Sequence, residues 1–408
     1  MIEARAILSG DDGRPEMKRF LYHDLIVAGN WCNLKCSYCT SVADAGDFGE
    51  ATSASARRRG ATIAIPDVVA MLDGLRRHVD APVIKVSGGE LFLLVNAADL
   101  VAELSARYAH VQVLTNGTEL TPAIVERLSS LGNVGFNLSL DGHTPEMNAM
   151  RWRSPRLGER VMTALDAITA TGRPLEITMV ASDANAAHLC DFLAFLATLP
   201  CRVVLIPIPV RGIHSVGLFG LEARRAFADL LRSLPGAFAP VLGPAAYYHR
   251  LADFLDGENG VRRHRCHLTA AAVQLFDTGA ITPCPVGWTA EVANVRRDGI
   301  AAASAVIGEH KLYDLMQRDP PRVPVCRSCF SQADVLNLYL DGAIDLAELA
   351  VMPLFAAPAA RQRLVELKAA RTRALQARAD ARAGFASTVG SEPAGSGAAS
   401  VVAVAAER

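Results

Sequence analysis

Residues 22–40 read YHDLIVAGNWCNLKCSYCT, an apolar run followed by three thiols, Cys32, Cys36 and Cys39, at x3 and x2 spacing. The run has the length and apolar content of a strand buried on both faces. Three thiolates in the loop after such a strand can grip three corners of a cubane iron–sulfur cluster and leave the fourth iron open to a ligand. A closed set of four, as in structural zinc sites, would leave no such vacancy.

Working outward, five more segments have the same character: PVIKVSG (82–88), HVQVLTN (110–116), VGFNLSL (134–140), LEITMVA (175–181) and RVVLIPIP (202–209). Between them lie amphipathic patterns such as PDVVAMLDGLRRHV (66–79), AADLVAELSARYA (97–109) and TPAIVERLSSLG (121–132). Apolar strands alternating with helices predict a parallel sheet covered on both faces, and six such units make a partial (βα)6 barrel of the α/β class. The expected organisation is an N-terminal extension over 1–21, the barrel over 22–212, and a linker with a small α+β cluster-binding domain over 213–355. A basic helix over 356–385 and a disordered tail over 386–408 complete it. The stretch 211–330 shows few long periodic segments, helical patterns return over 332–352, and the Ala- and Arg-rich segment 359–383 reads as an exposed surface helix.

Composition narrows the function. The 408 residues are 51% hydrophobic and 20% charged, with 41 basic against 42 acidic side chains. This balance argues against a nucleic-acid binder. No apolar run approaches the roughly 20 residues of a membrane helix, and the opening residues lack the apolar block of a secretory signal. No membrane association and a cytoplasmic location are therefore expected. Nine cysteines in a reducing compartment point to metal rather than disulfides.

The motifs at the strand ends complete a pattern. SGGE (87–90) closes the second strand, TNGT (115–118) the third, and SLDG (139–142) the fourth, followed by NAMR (148–151). With Cys32, Cys36, Tyr38 and Cys39, this order resembles the radical S-adenosylmethionine (radical SAM) superfamily over roughly residues 22–210. The resemblance implies a four-iron, four-sulfur (4Fe–4S) cluster on Cys32, Cys36 and Cys39. It also implies S-adenosylmethionine held by Tyr38, Gly88, Gly89, Glu90, Ser139 and Arg151. Within that set, Gly88, Gly89 and Glu90, or the backbone beside Glu90, serve the methionyl amino group, and Ser139 and Arg151 the carboxylate and ribose side. Physical readings stay open at three positions: Arg151 as a surface salt-bridge partner, Asp141 as a helix cap, and Asn116 as a turn former.

Four further thiols lie in CHLTAAAVQLFDTGAITPC (266–284) and CRSC (326–329). The layout of Cys266, then Gly279-x4-Cys284, then Cys326-x2-Cys329 resembles the Twitch domain, a shorter relative of the SPASM domain. This implies a second, auxiliary 4Fe–4S cluster with all four cysteines as ligands, with zinc as the competing metal. Cys190 and Cys201 are left over, read as buried inert thiols or, more pointedly, a hydrogen-atom donor.

The resemblance implies an oxidoreductase that generates a 5′-deoxyadenosyl radical, abstracts a substrate hydrogen atom, and passes an electron to the auxiliary cluster in a net oxidation of a small molecule. It further implies an electron donor such as flavodoxin or ferredoxin. The alternatives are a maturase cross-linking or epimerising a ribosomal peptide, and a redox-neutral small-molecule epimerase or rearrangement enzyme. Arg211, His214, Tyr247, Tyr248 and His267 are weak candidates for pocket residues.

Overall fold

The computed structural model of the chain describes residues 17–27, 31–39, 60–210, 215–256, 261–284 and 290–389. The expected six strands are present: β1 (Tyr22–Val27), β2 (Val83–Gly88), β3 (His110–Thr115), β4 (Val134–Ser139), β5 (Leu175–Ala181) and β6 (Val203–Pro209). Each pairs in parallel with its neighbour, and the sheet does not close, giving the partial barrel.

The helices between them form where the sequence places caps and apolar stripes. In α1 (Ile65–Arg76) Val68, Val69, Met71, Leu72 and Leu75 turn one face to the sheet. The Thr121 side chain accepts from Ile124 N and Pro122 opens α2 (Pro122–Ser129). α3 (Pro155–Ala170) and α4 (Leu189–Leu196) bury Val161, Leu165 and Ile168, and Phe192, Leu193 and Leu196.

The segment AVQLFDTGAITPC (272–284) forms a hairpin of β7 (Ala272–Phe276) and β8 (Ala280–Thr282), turning at Gly279 with φ +90°. That residue must be glycine, because a left-handed backbone there strains any side chain. The hairpin is joined to the barrel: β7 runs parallel to β1, with Asp24 opposite Gln274. The order across the sheet is β9 (Ala293–Asn294), β8, β7, β1, β2, β3, β4, β5, β6. The cysteine-bearing segment thus covers what would be an exposed edge at β1.

Two expectations need correction. The segment read as weakly periodic holds two twelve-residue helices, α5 (Leu221–Arg232) and α6 (Ala245–Asp256). In α6 Tyr247 and Tyr248 are buried and donate to the carbonyls of Pro207 and Leu205, so they brace β6. The Ala- and Arg-rich helix, α8 (Pro358–Val389), is not simply a surface helix. Ala360, Leu364, Leu367, Ala370 and Ala374 form a buried stripe, and Arg363 donates to Phe20 O at 2.7 Å. Small alanines let this helix approach closely, which its charge masks in the sequence. The helical pattern over 332–352 divides into α7 (Asp334–Leu340) and a short turn, Leu346–Leu349, closed by an Asp345–Glu348 capping box. Most of the N-terminal extension, residues 390–408 of the tail, Arg211 and His214 lie outside the described residues.

One polar residue sits at mid-strand in most of the barrel. Asp24, Lys85, Gln112, Asn137, Glu176 and Gln274 are each at most 5% exposed. Register places Asp24 beside both Lys85 and Gln274, Lys85 beside Gln112, and Asn137 beside Glu176. They form a polar layer inside the barrel.

Candidate active site

The carboxyl ends of the strands surround a cavity of about 300 Å³. Cys32, Cys36 and Cys39 line it together with Tyr38, Gly88, Gly89, Ser139 and Arg151. The cysteine loop is shaped by its own backbone: Cys39 N donates to Cys36 O at 3.0 Å, and Leu34 N to Cys32 Sγ at 3.4 Å. Burial pushes the Cys32 thiol up to about 12 and raises Cys36 as well.

Gly88 and Gly89 are required for a reason beyond ligand access. A Cβ on Gly88 would lie 2.0 Å from Val27 O, and one on Gly89 2.1 Å from Trp31 O. Their bareness lets β2 close onto β1 and the cysteine loop, an approach fixed by Glu90 N donating to Trp31 O at 2.9 Å.

The Glu90 carboxylate is occupied within the protein. Its Oε1 accepts from Phe92 N at 3.1 Å and Thr115 Oγ1 at 2.8 Å, and its Oε2 from Asn116 N at 2.6 Å. Burial raises its pKa to about 6 against these three donors. Glu90 straps the end of β2 to the end of β3 and does not line the cavity; the Gly88–Gly89 backbone beside it does.

Arg151 is buried rather than a surface partner. Its Nε and Nη2 donate to Asp141 Oδ2 and Oδ1 at 3.3 and 3.1 Å. Burial alone would lower its pKa, but Asp141 holds it well above the usual range. Asp141 also accepts from the Tyr38 hydroxyl and, at 2.9 Å, from Val180 N. It is therefore a buried hub and not a helix cap; Ser154 occupies the N-cap of α3. Asn116 serves both turn and loop. Its Oδ1 accepts from Thr118 N at 2.9 Å, while its Nδ2 donates to Asn33 Oδ1 at 3.1 Å and Cys32 Sγ at 3.5 Å.

The floor of the cavity was not anticipated. Asp24, Lys85, Gln274, Ser331 and Gln332 line it. Lys85 Nζ donates to Asp24 Oδ2 at 3.4 Å, and Asp24 Oδ1 is buried without a hydrogen-bond partner among the described residues. Burial raises the Asp24 pKa, and it lifts that of Glu176 on β5 to about 7. The available signal was a single polar residue at similar depth in successive apolar strands.

The second thiol set also converges. Cys266, Cys284, Cys326 and Cys329 line one cavity with Arg262, Thr269 and Ser331. Ser331 lines both thiol cavities, so they adjoin at this residue. Among the described residues no group of three or more His, Cys, Asp or Glu is gathered tightly enough to hold a single metal ion. None of the nine cysteines forms a disulfide. Cys190 and Cys201 are partly rather than fully buried, and neither lines the large cavity. His267 is engaged elsewhere, with its ring paired to Asp341 at 2.9 Å.

Residues 26–196 match the family model of the radical SAM superfamily. This part of the chain has the fold of a radical SAM domain. The match runs from the end of β1 through α4 and so includes the cysteine loop and every strand-end motif up to Arg151. Among curated proteins, the chain is 26% identical over 162 residues to the sporulation killing factor maturation protein SkfB of Bacillus subtilis, covering 40% of this chain and 36% of that protein. It is 28% identical over 172 residues to the mycofactocin maturase MftC of Mycobacterium tuberculosis, covering 42% and 39%. The chain thus spans well under half the length of these relatives. Among solved structures it resembles anSMEcpe with bound AdoMet, with a TM-score of 0.53 at 16% identity over 73% of this chain and 84% of that one, a likeness of fold.

The radical SAM family implies a 4Fe–4S cluster and S-adenosylmethionine. The residues present fit both. Three thiols without disulfide partners face one cavity, a bare glycine edge borders it, and the Nη1 of buried Arg151 makes no hydrogen bond among the described residues.

Proposed function

We propose that this chain is a radical SAM oxidoreductase acting on a polar small molecule. Cys32, Cys36 and Cys39 would hold the catalytic cluster. The Gly88–Gly89 backbone would receive the amino group of S-adenosylmethionine, with Ser139, Tyr38 and Arg151 on its carboxylate and ribose side. Bound together, cluster and S-adenosylmethionine supply a 5′-deoxyadenosyl radical that removes a hydrogen atom from substrate. Glu90 and Asp141 act through others: Glu90 sets the distance between strand ends, and Asp141 orients Tyr38 and Arg151.

The observation that carries this reading is the shared cavity, which is lined both by the three thiols and by Asp24 and Lys85. Asp24 Oδ1, without a partner among the described residues, suits a substrate with polar groups, because an apolar one would leave that oxygen unsatisfied. The four thiols of the second site fit an auxiliary 4Fe–4S cluster, which supplies one-electron acceptor chemistry. Its adjacency through Ser331 supports net oxidation over a redox-neutral outcome. A one-electron carrier such as flavodoxin or ferredoxin would supply reducing equivalents to the first cluster.

A second reading, maturation of a ribosomal peptide, is favoured by the two relatives named as a maturation protein and a maturase. The deciding experiment for the shared chemistry is anaerobic reconstitution followed by dithionite and S-adenosylmethionine. Formation of 5′-deoxyadenosine is expected. An iron-loaded protein that forms none would refute the enzyme reading.

A further inference from the structure

Thr269 is 1% exposed, and its Oγ1 has no hydrogen-bond partner among the described residues. A buried hydroxyl left unpaired costs stability, so its persistence calls for a partner of some kind. Thr269 lines the cavity bounded by Cys266, Cys284, Cys326 and Cys329.

A second feature of that cavity is a buried cation held in place from several sides. Arg262, 3% exposed, donates to both oxygens of Asp334 at 2.8 Å and through Nε to Cys329 O at 2.9 Å. Asp334 in turn accepts from Ser331 N at 2.9 Å and Asn337 Nδ2 at 2.8 Å, and His264 Nε2 lies 2.8 Å from it. Asn337 closes the frame by accepting from His267 N at 2.8 Å, next to Cys266. The guanidinium is thus fixed beside the carbonyl of one expected ligand.

Resting on the reading that these four thiols hold a 4Fe–4S cluster, we propose that Thr269 and Arg262 are positioning residues that raise its reduction potential. Thr269 does so by donating its hydroxyl to a cluster sulfur, Arg262 by holding the positive end of its ion pair with Asp334 beside the ligand set. Reduction adds one negative charge to the cluster, and both a donor and a cation stabilise that charge. The consequence is a centre poised to accept an electron.

The test uses the full chain, reconstituted anaerobically, with Cys32, Cys36 and Cys39 replaced by Ala so that the auxiliary cluster alone contributes to the signal. Thr269→Val removes the hydroxyl at nearly constant shape, and Thr269→Ser retains it. In a potentiometric titration followed by electron paramagnetic resonance, Thr269→Val should lower the midpoint. The ratio of reduced to oxidised cluster at the parent midpoint should fall by up to about tenfold, equivalent to 59 mV for one electron. Thr269→Ser should stay near the parent. Replacing Arg262 by Gln together with Asp334→Asn should shift the midpoint in the same direction. In the iron-free chain Thr269→Val should not lower the unfolding temperature, because no protein partner is lost. A loaded cluster whose midpoint is indifferent to Thr269→Val overturns this inference alone. A triad-free chain that binds no iron, or zinc instead, overturns the auxiliary-cluster reading beneath it.

Discussion

Asp24 and Lys85 face each other across β1 and β2 inside the barrel, joined by one hydrogen bond of 3.4 Å that leaves Asp24 Oδ1 without a partner among the described residues. A buried ion pair of this kind contributes little net stability, because desolvation offsets the attraction. Its place among the residues lining the cavity makes it a candidate for substrate recognition.

If the pair contacts substrate, Asp24→Asn should lower product formation by at least about tenfold, the worth of one charge-assisted hydrogen bond. Cleavage of S-adenosylmethionine without substrate should be unchanged. Chromatography of both products distinguishes the two, and equal loss of each would assign Asp24 to the cofactor instead.

Iron content should separate the two thiol sites. The intact chain should bind about eight irons, and a Cys32, Cys36 and Cys39 to Ala variant about four, with no 5′-deoxyadenosine formed. Replacing Cys326 and Cys329 by Ala should preserve uncoupled cleavage and abolish product. Product formed normally by that variant would exclude the electron-accepting role.

Glu90→Gln keeps the shape of the strap but removes one of its acceptor oxygens. One of the buried donors from Phe92, Thr115 or Asn116 is then left facing an amide NH₂, costing ~1–3 kcal/mol of stability. Because the strap sets the Gly88–Gly89 edge, the Kd for S-adenosylmethionine should rise about tenfold, equivalent to ~1.4 kcal/mol. Thermal unfolding and equilibrium binding measure each separately; an unchanged Kd would detach the strap from cofactor binding.

His23 predicts an acid-sensitive fold. Its buried ring pairs through Nδ1 with the Tyr108 hydroxyl at 2.8 Å and through Nε2 with Val79 O at 3.1 Å, an arrangement suited to the neutral form. Burial lowers its pKa from 6.5 to about 4. Below pH 6.5 the unfolded chain gains a proton that the fold refuses, so stability should fall by ~2 kcal/mol at pH 5 and by ~3 kcal/mol near pH 4. Urea unfolding of wild type and His23→Gln across this range gives the difference; parallel curves would show that His23 does not titrate in this way.

The sequence by itself determined the barrel. Apolar strands and capped helices are local signals, and covering both faces of a parallel sheet leaves few alternatives. It also grouped the thiols that line each of the two cavities, because cysteine spacing is legible without knowing what lies across from it. What only the tertiary structure decided are relationships between residues far apart in the chain. Asp24 meets Lys85 and Gln274 through register, and a lone polar residue within an apolar strand does not reveal which face or neighbour it has. Glu90 and Asp141 had readings at the cofactor or at a helix end, yet their carboxylates are consumed by donors from other strands. Ser331 gave no signal, because lying between two cavities is a property of packing and leaves no periodicity to read.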